Sequence, residues 1–117
     1  MQNPYFLHWK NAMDNLANID ISPENLAIVK AILAKNIPNY EVWAFGSRTK
    51  GKAKKYSDLD LAIICDKPLS IDETAKLSEE FSESDLPWRV DIVDWANTSE
   101  NFRQIISQHY VVLQKNN

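Results

Sequence analysis

The chain has 117 residues, 44% hydrophobic and 25% charged, a length and balance that suit one folded domain with a single core and exclude a disordered or low-complexity chain. Thirteen Lys and Arg against sixteen Asp and Glu leave a net charge of −3, so no global basic field draws it to nucleic acid, and any anion site has to be local. Cys65 is the only cysteine, which excludes an intramolecular disulfide and a thiolate metal cluster, and its place in "LAIIC" suits a buried structural thiol.

The N-terminal "MQNPYFLHWK" has no basic start followed by an apolar run, and no apolar stretch is long enough to span a bilayer, so a cytoplasmic protein is expected. Phe6, Trp9, Met13 and Leu16 recur three or four residues apart and predict a helix over residues 5–17. A second helix is predicted from "SPENLAIVKAILAKN", with Ser22 as N-cap, Pro23 at the first position, and Leu26, Val29, Ile32 and Leu33 on one face. Pro38 stops it. "EVWAF" reads as a strand ending at Gly46, and "SDLDLAIIC" as a second strand over 57–65 whose continuous apolar half suits a central position.

Ser70 followed by Glu73 forms a capping-box pattern for a third helix, with Ile71, Ala75, Leu77 and Phe81 as partial core contacts. "WRVDIVDW" predicts a strand over 88–95, and "SENFRQIISQHYVV" a C-terminal helix over about 99–110 carrying Phe102, Ile105 and Ile106. The expected fold class is α/β or α+β, a small mixed β-sheet flanked by helices, in one domain: N-terminal helices over 1–37, a core over about 41–95, and the C-terminal helix. Trp9, Trp43, Trp88 and Trp95 are expected in the core unless one marks an interface. His8 and His109 have no metal-like partners in sequence and read as surface or partly packed.

Both glycines of the chain, Gly46 and Gly51, fall in "FGSRTKGKAKKYSDLD". Alternation along a strand turns Asp58 and Asp60 to the same face, where two carboxylates repel unless a divalent cation lies between them; oxygen ligands of this kind suit magnesium or manganese. Gly46-Ser47 sits where a strand gives way to a short helical turn, so that backbone N–H groups can face an anion and a side chain at Gly46 would obstruct its approach. Gly51 permits a backbone turn. Arg48, with its rigid fork of donors, is the better candidate for a phosphate contact; Lys50, Lys52, Lys54 and Lys55 either share that role or keep the loop soluble.

Gly46-Ser47, ten further residues, and then Asp58-Leu59-Asp60 resembles the signature of the DNA polymerase β-type nucleotidyltransferase superfamily, and the fuller "GSRTKGKAKKYSDLDL" resembles its small prokaryotic branch, the minimal nucleotidyltransferases (MNT). The resemblance covers residues 42–95. It implies that Gly46, Ser47 and Arg48 bind the nucleoside triphosphate, and that Asp58 and Asp60 bind catalytic magnesium, two Mg2+ ions with Mn2+ as a substitute. A third carboxylate is implied on a later strand. Val90-Asp91-Ile92 matches the family's apolar-Asp-apolar pattern, which selects Asp91, while alternation turns Asp94 to the other face as a solvated or capping residue.

The implied reaction transfers AMP from ATP to a hydroxyl. Larger relatives carry an additional domain for the base or acceptor, so selection here is expected from another protein. Minimal nucleotidyltransferases are commonly paired with small all-helical HEPN-domain proteins in toxin–antitoxin-like systems, which implies a HEPN-type partner as acceptor in a hetero-oligomer. Two other readings remain open at this level: a nucleotide-binding module that neutralises a partner by covering it, and an enzyme acting on a small molecule such as an aminoglycoside. Neither a membrane nor direct nucleic-acid contact is expected.

Overall fold

Ser22 lies in extended backbone and its hydroxyl accepts the N–H of Asn25, so the chain turns into helix α1, Pro23–Asn36, with Pro23 opening its first turn. The computed structural model describes residues 19–116; the helix expected over 5–17, with His8 and Trp9, lies outside them. After α1 come β1 (Glu41–Phe45), a 3-10 turn (Ser47–Thr49), β2 (Leu59–Ile64), α2 (Ile71–Glu83), β3 (Val90–Asp94), a second 3-10 turn (Trp95–Asn97), α3 (Glu100–Gln108) and β4 (Val111–Gln114). Ser70 and Glu73 exchange both hydrogen bonds of the expected capping box at α2. The four strands make one mixed sheet in the order β3-β2-β1-β4, with β1 antiparallel to both neighbours and β2 parallel to β3.

Alternation divides the sheet into two faces. Leu59, Leu61 and Ile63 of β2, Val42 and Ala44 of β1, and Val111 and Leu113 of β4 are buried in one cluster with Val29 and Leu33 of α1 and Leu77 and Phe81 of α2. Fully burying each of these larger apolar side chains contributes about 1.5–3 kcal/mol. The central position expected for the second strand is the one β2 occupies. Phe45, Asp60 and Asp91 belong to the opposite face: Phe45 and Asp60 pair across β1 and β2, and Asp60 and Asp91 across β2 and β3.

The structure departs from sequence expectation at several edges. The second strand begins at Leu59 rather than Ser57, and the third spans Val90–Asp94 rather than 88–95. The C-terminal helix stops at Gln108, and the β-branched and apolar "VVLQ" pairs with β1 as an edge strand absent from the expectation. Ile71 is 87% exposed and Ala75 is also at the surface, so only Leu77 and Phe81 carry the core face of α2. On α3, Ile106 is buried while Phe102 and Ile105 are exposed. Among the described residues no helix is long and apolar enough to cross a membrane.

Gly51 has φ 69°, and a Cβ built there would meet nothing within 4 Å. Its requirement is therefore purely one of backbone conformation. Gly51→Ala is expected to cost about 1–2 kcal/mol, the left-handed penalty for an L residue, and to leave metal and nucleotide affinity at the wild-type value; thermal unfolding beside a binding titration checks both.

Candidate active site

Asp60 is at the centre of the functional face. It occupies the second position of β2, opposite Phe45 of β1 and Asp91 of β3, and is half-buried. Burial pushes its carboxyl above the ordinary carboxylate range, and the negative charges of Asp91 and then Asp58 push it further in the same direction. Three acidic residues therefore share one electrostatic neighbourhood, contributed by the segment before β2, by β2 itself and by β3.

Gly46 completes this wall. It has φ 84° and ψ −157°, a region reserved for glycine, and a Cβ built on it would run into Oδ2 of Asp60 and stand 3.2 Å from its Cγ. The backbone between β1 and the first 3-10 turn thus lies directly against the Asp60 carboxylate. The turn's own hydrogen bonds begin with Thr49 N donating to Gly46 O at 3.0 Å, and the buried Thr49 hydroxyl donates to the same carbonyl at 2.8 Å. The N–H groups of Ser47 and Arg48 precede that ladder, as at the start of any helical turn.

Alternation separates the two later aspartates as expected. Asp94 faces away from Asp60, and its carboxylate accepts the N–H of Leu69 at 2.9 Å, the N–H of Ala96 at 3.0 Å and the Cys65 thiol at 3.0 Å. It caps the second 3-10 turn. Cys65 is buried and free, and burial, followed by its bond to Asp94, raises its thiol above the ordinary value.

Arg48 is placed otherwise than a phosphate contact requires. It is 5% exposed, and its guanidinium donates to three backbone carbonyls, Asp20 at 2.8 Å, Ser57 at 3.0 Å and Lys55 at 3.2 Å, while lying 4.5 Å over the centre of the Trp88 ring. Its fork is spent on the protein itself. Lys50, Lys52, Lys54 and Lys55 are exposed, with the Lys55 ammonium 5.3 Å from the Tyr56 ring centre. His109 lies at the surface and its Nε2 meets the carbonyl of Thr49.

Sequence reasoning missed Arg89. Its Nη2 donates to Oδ1 of Asp91 at 3.0 Å, from a side chain that is 79% exposed. Two-residue spacing puts Arg89 on the same face as Asp91, so the alternation that separates Asp91 from Asp94 also carried this signal. Trp43 and Trp95 are half-buried on this side of the sheet, in an aromatic group in which Trp43 stacks on Tyr110 at 3.9 Å and meets Trp95 edge-on at 5.3 Å.

The donors suit a hard divalent cation, because they are carboxylates, and the negative charges of Asp91 and Asp58 act on Asp60 beside the bare backbone of Gly46. They are not drawn together: among the described residues no three His, Cys, Asp or Glu side chains stand close enough to hold a metal. Asp91 is instead engaged with Arg89. An exposed ion pair of this kind contributes only about 0.2–1 kcal/mol. Arg89→Ala is accordingly expected to tighten Mn2+ binding about two- to fivefold, a change readable by electron paramagnetic resonance of free Mn2+; weaker binding would show that Arg89 supports the site instead of competing for it.

The family described as "Polymerase beta, Nucleotidyltransferase" matches residues 28–117. The chain belongs to this family. The match extends on both sides of the 42–95 segment and takes in β4, the strand that sequence reasoning omitted. As a nucleotidyltransferase, the chain is 63% identical over 103 residues to the "Probable protein adenylyltransferase MntA" of Haemophilus influenzae, across 88% of this chain and 90% of that protein. A solved toxin–antitoxin structure with AMP-PNP has a TM-score of 0.65 at 27% identity, covering 76% of this chain and 72% of its counterpart. A structure of the tri-AMPylated Shewanella oneidensis HEPN toxin in complex with MNT antitoxin has a TM-score of 0.56 at 25% identity, covering 76% and 68%.

Proposed function

We propose that this nucleotidyltransferase moves AMP from ATP to a hydroxyl of a HEPN-type partner protein, as the antitoxin of a toxin–antitoxin pair. The observation that carries the reading is the direct pairing of Asp60 with Asp91 across β2 and β3, against the bare backbone of Gly46. The 63% identity to a probable protein adenylyltransferase supports AMP as the transferred group and protein as the acceptor. The likeness to toxin–antitoxin complexes supports the class of partner. We read residues 1–117 as one catalytic domain acting in the cytoplasm, where ATP and magnesium are at hand.

Asp58, Asp60 and Asp91 would hold two Mg2+ ions. Bound there, the ions supply neutralisation of triphosphate charge and lower the pKa of the acceptor hydroxyl. Gly46 and Ser47 hold the phosphates through backbone N–H groups and the Ser47 hydroxyl, and the missing Cβ at Gly46 leaves room for the Asp60 carboxylate beside them. The acceptor oxygen bonds to the α-phosphorus as the bond to pyrophosphate breaks, and the hydroxyl proton passes to Asp91. Asp91 lies on β3, an edge strand of the sheet, with its side chain 43% exposed to an incoming acceptor.

Calorimetric titration with ATP, GTP, CTP and UTP tests the nucleotide half of the proposal. ATP is expected to bind most tightly and only with Mg2+ present. Equal binding of ATP in excess chelator would remove the aspartates from the nucleotide site.

A further inference from the structure

The geometry points to Arg48 as a positioning residue that fixes the backbone leading into Asp58, a carboxylate of the proposed metal site, without touching substrate. This inference rests on the metal-site reading proposed above. Asp58 precedes β2, whose ladder starts at Leu59, so the sheet does not fix it. The eight residues between the first 3-10 turn and Asp58 have no regular structure. Their own bonds are local: Ser57 N donates to Lys54 O at 3.1 Å, and Lys54 N to the Ser57 hydroxyl at 2.8 Å.

Arg48 ties this excursion to the rest of the fold from inside. Nε reaches the carbonyl of Ser57, the residue immediately before Asp58, at 3.0 Å; Nη2 reaches Lys55 O at 3.2 Å, and Nη1 reaches Asp20 O at 2.8 Å. The carbonyl of Arg48 accepts the N–H of Asp20 at 2.7 Å, so the segment before α1 is strapped to the turn in both directions. Trp88 presents its ring beneath the guanidinium, and the following residue, Arg89, accepts the N–H of Leu59 through its carbonyl at 2.9 Å. One planar cation, itself on the turn that opens the loop, thus ties the loop's far end at Lys55 and Ser57 to the segment before α1. A lysine, with donors on a single nitrogen, cannot span three carbonyls at these separations.

Arg48→Lys separates positioning from phosphate binding because it retains the charge and removes the fork. The probe is Mn2+ without nucleotide, measured by electron paramagnetic resonance on the full chain. We expect about a tenfold loss of Mn2+ affinity in the folded variant, the scale seen when a group that orients a metal ligand is removed, with KM for ATP little changed and kcat reduced. Unchanged Mn2+ affinity in folded Arg48→Lys, with or without a raised KM for ATP, would overturn the inference. If Arg48→Lys does not fold, Trp88→Phe, which leaves the arginine and shrinks its platform, decides by the same readout: weaker Mn2+ binding supports positioning, and wild-type binding overturns it. Wild-type protein that bound no Mn2+ would instead overturn the metal-site reading, and this inference with it.

Discussion

Asp60→Asn is expected to lower nucleotidyl transfer on the order of a thousandfold while raising the thermal stability of the metal-free protein at neutral pH. The two effects have one cause. Burial and the charges of Asp91 and Asp58 raise the Asp60 carboxyl in the folded protein, so the native state holds this proton more tightly than the unfolded chain. The associated stability is full below the unfolded pKa and is lost as pH rises through the folded one. At neutral pH the ionised carboxylate opposes folding, and the amide, isosteric and uncharged, relieves it. Solvent still reaches this half-buried group, so the gain is at most about 1 kcal/mol, a few degrees in melting temperature. Adding Mn2+ should stabilise the wild type and not the variant. Melting curves at pH 4 and pH 7, with and without Mn2+, check the sign: wild type and variant should converge at the acid end. A large metal-free loss of stability in Asp60→Asn would make this aspartate a structural residue.

Gly46→Ala is expected to damage both the fold and the reaction. The sequence alone assigns this glycine to close approach of backbone and phosphate, which predicts a folded variant with weak nucleotide binding. The structure adds two costs. A side chain at φ 84° and ψ −157° is strained by about 1–3 kcal/mol, and its Cβ collides with the Asp60 carboxylate, which has to turn away. Displacing a reacting group by an ångström costs about a hundredfold in rate, so transfer should fall at least that far even where the protein stays folded. Gly51→Ala is the internal control, because it shares the positive φ and lacks the neighbour. Melting temperature and transfer rate on the two variants make the comparison; equal transfer rates would separate Gly46 from the site.

Much of this arrangement is legible in the sequence because it rests on local rules. Ser22-Pro23 and Ser70 with Glu73 announce α1 and α2 through capping chemistry that needs no tertiary partner. The opposite facing of Asp91 and Asp94 follows from strand alternation. What escaped reading depends on neighbours distant in sequence. "VVLQ" is too short and too close behind the C-terminal helix to announce a strand, and its β-branched residues become one by pairing with the edge of β1. Ile71 and Ala75 fit a helical face, yet the core cluster reaches α2 only at Leu77 and Phe81. Arg48 reads as a phosphate contact two residues after Gly46; its inward turn needs the carbonyls of Asp20, Lys55 and Ser57, and no periodicity in the sequence relates these to it.

Intact-mass spectrometry of a purified HEPN-type partner, incubated with this chain, ATP and Mg2+, tests the central claim most directly. The account predicts partner molecules heavier by one or more AMP units, with none added when Mg2+ is chelated or when Asp60→Asn replaces the wild type. A partner that is bound and neutralised by the wild type in ATP and Mg2+, yet keeps its unmodified mass, would contradict it.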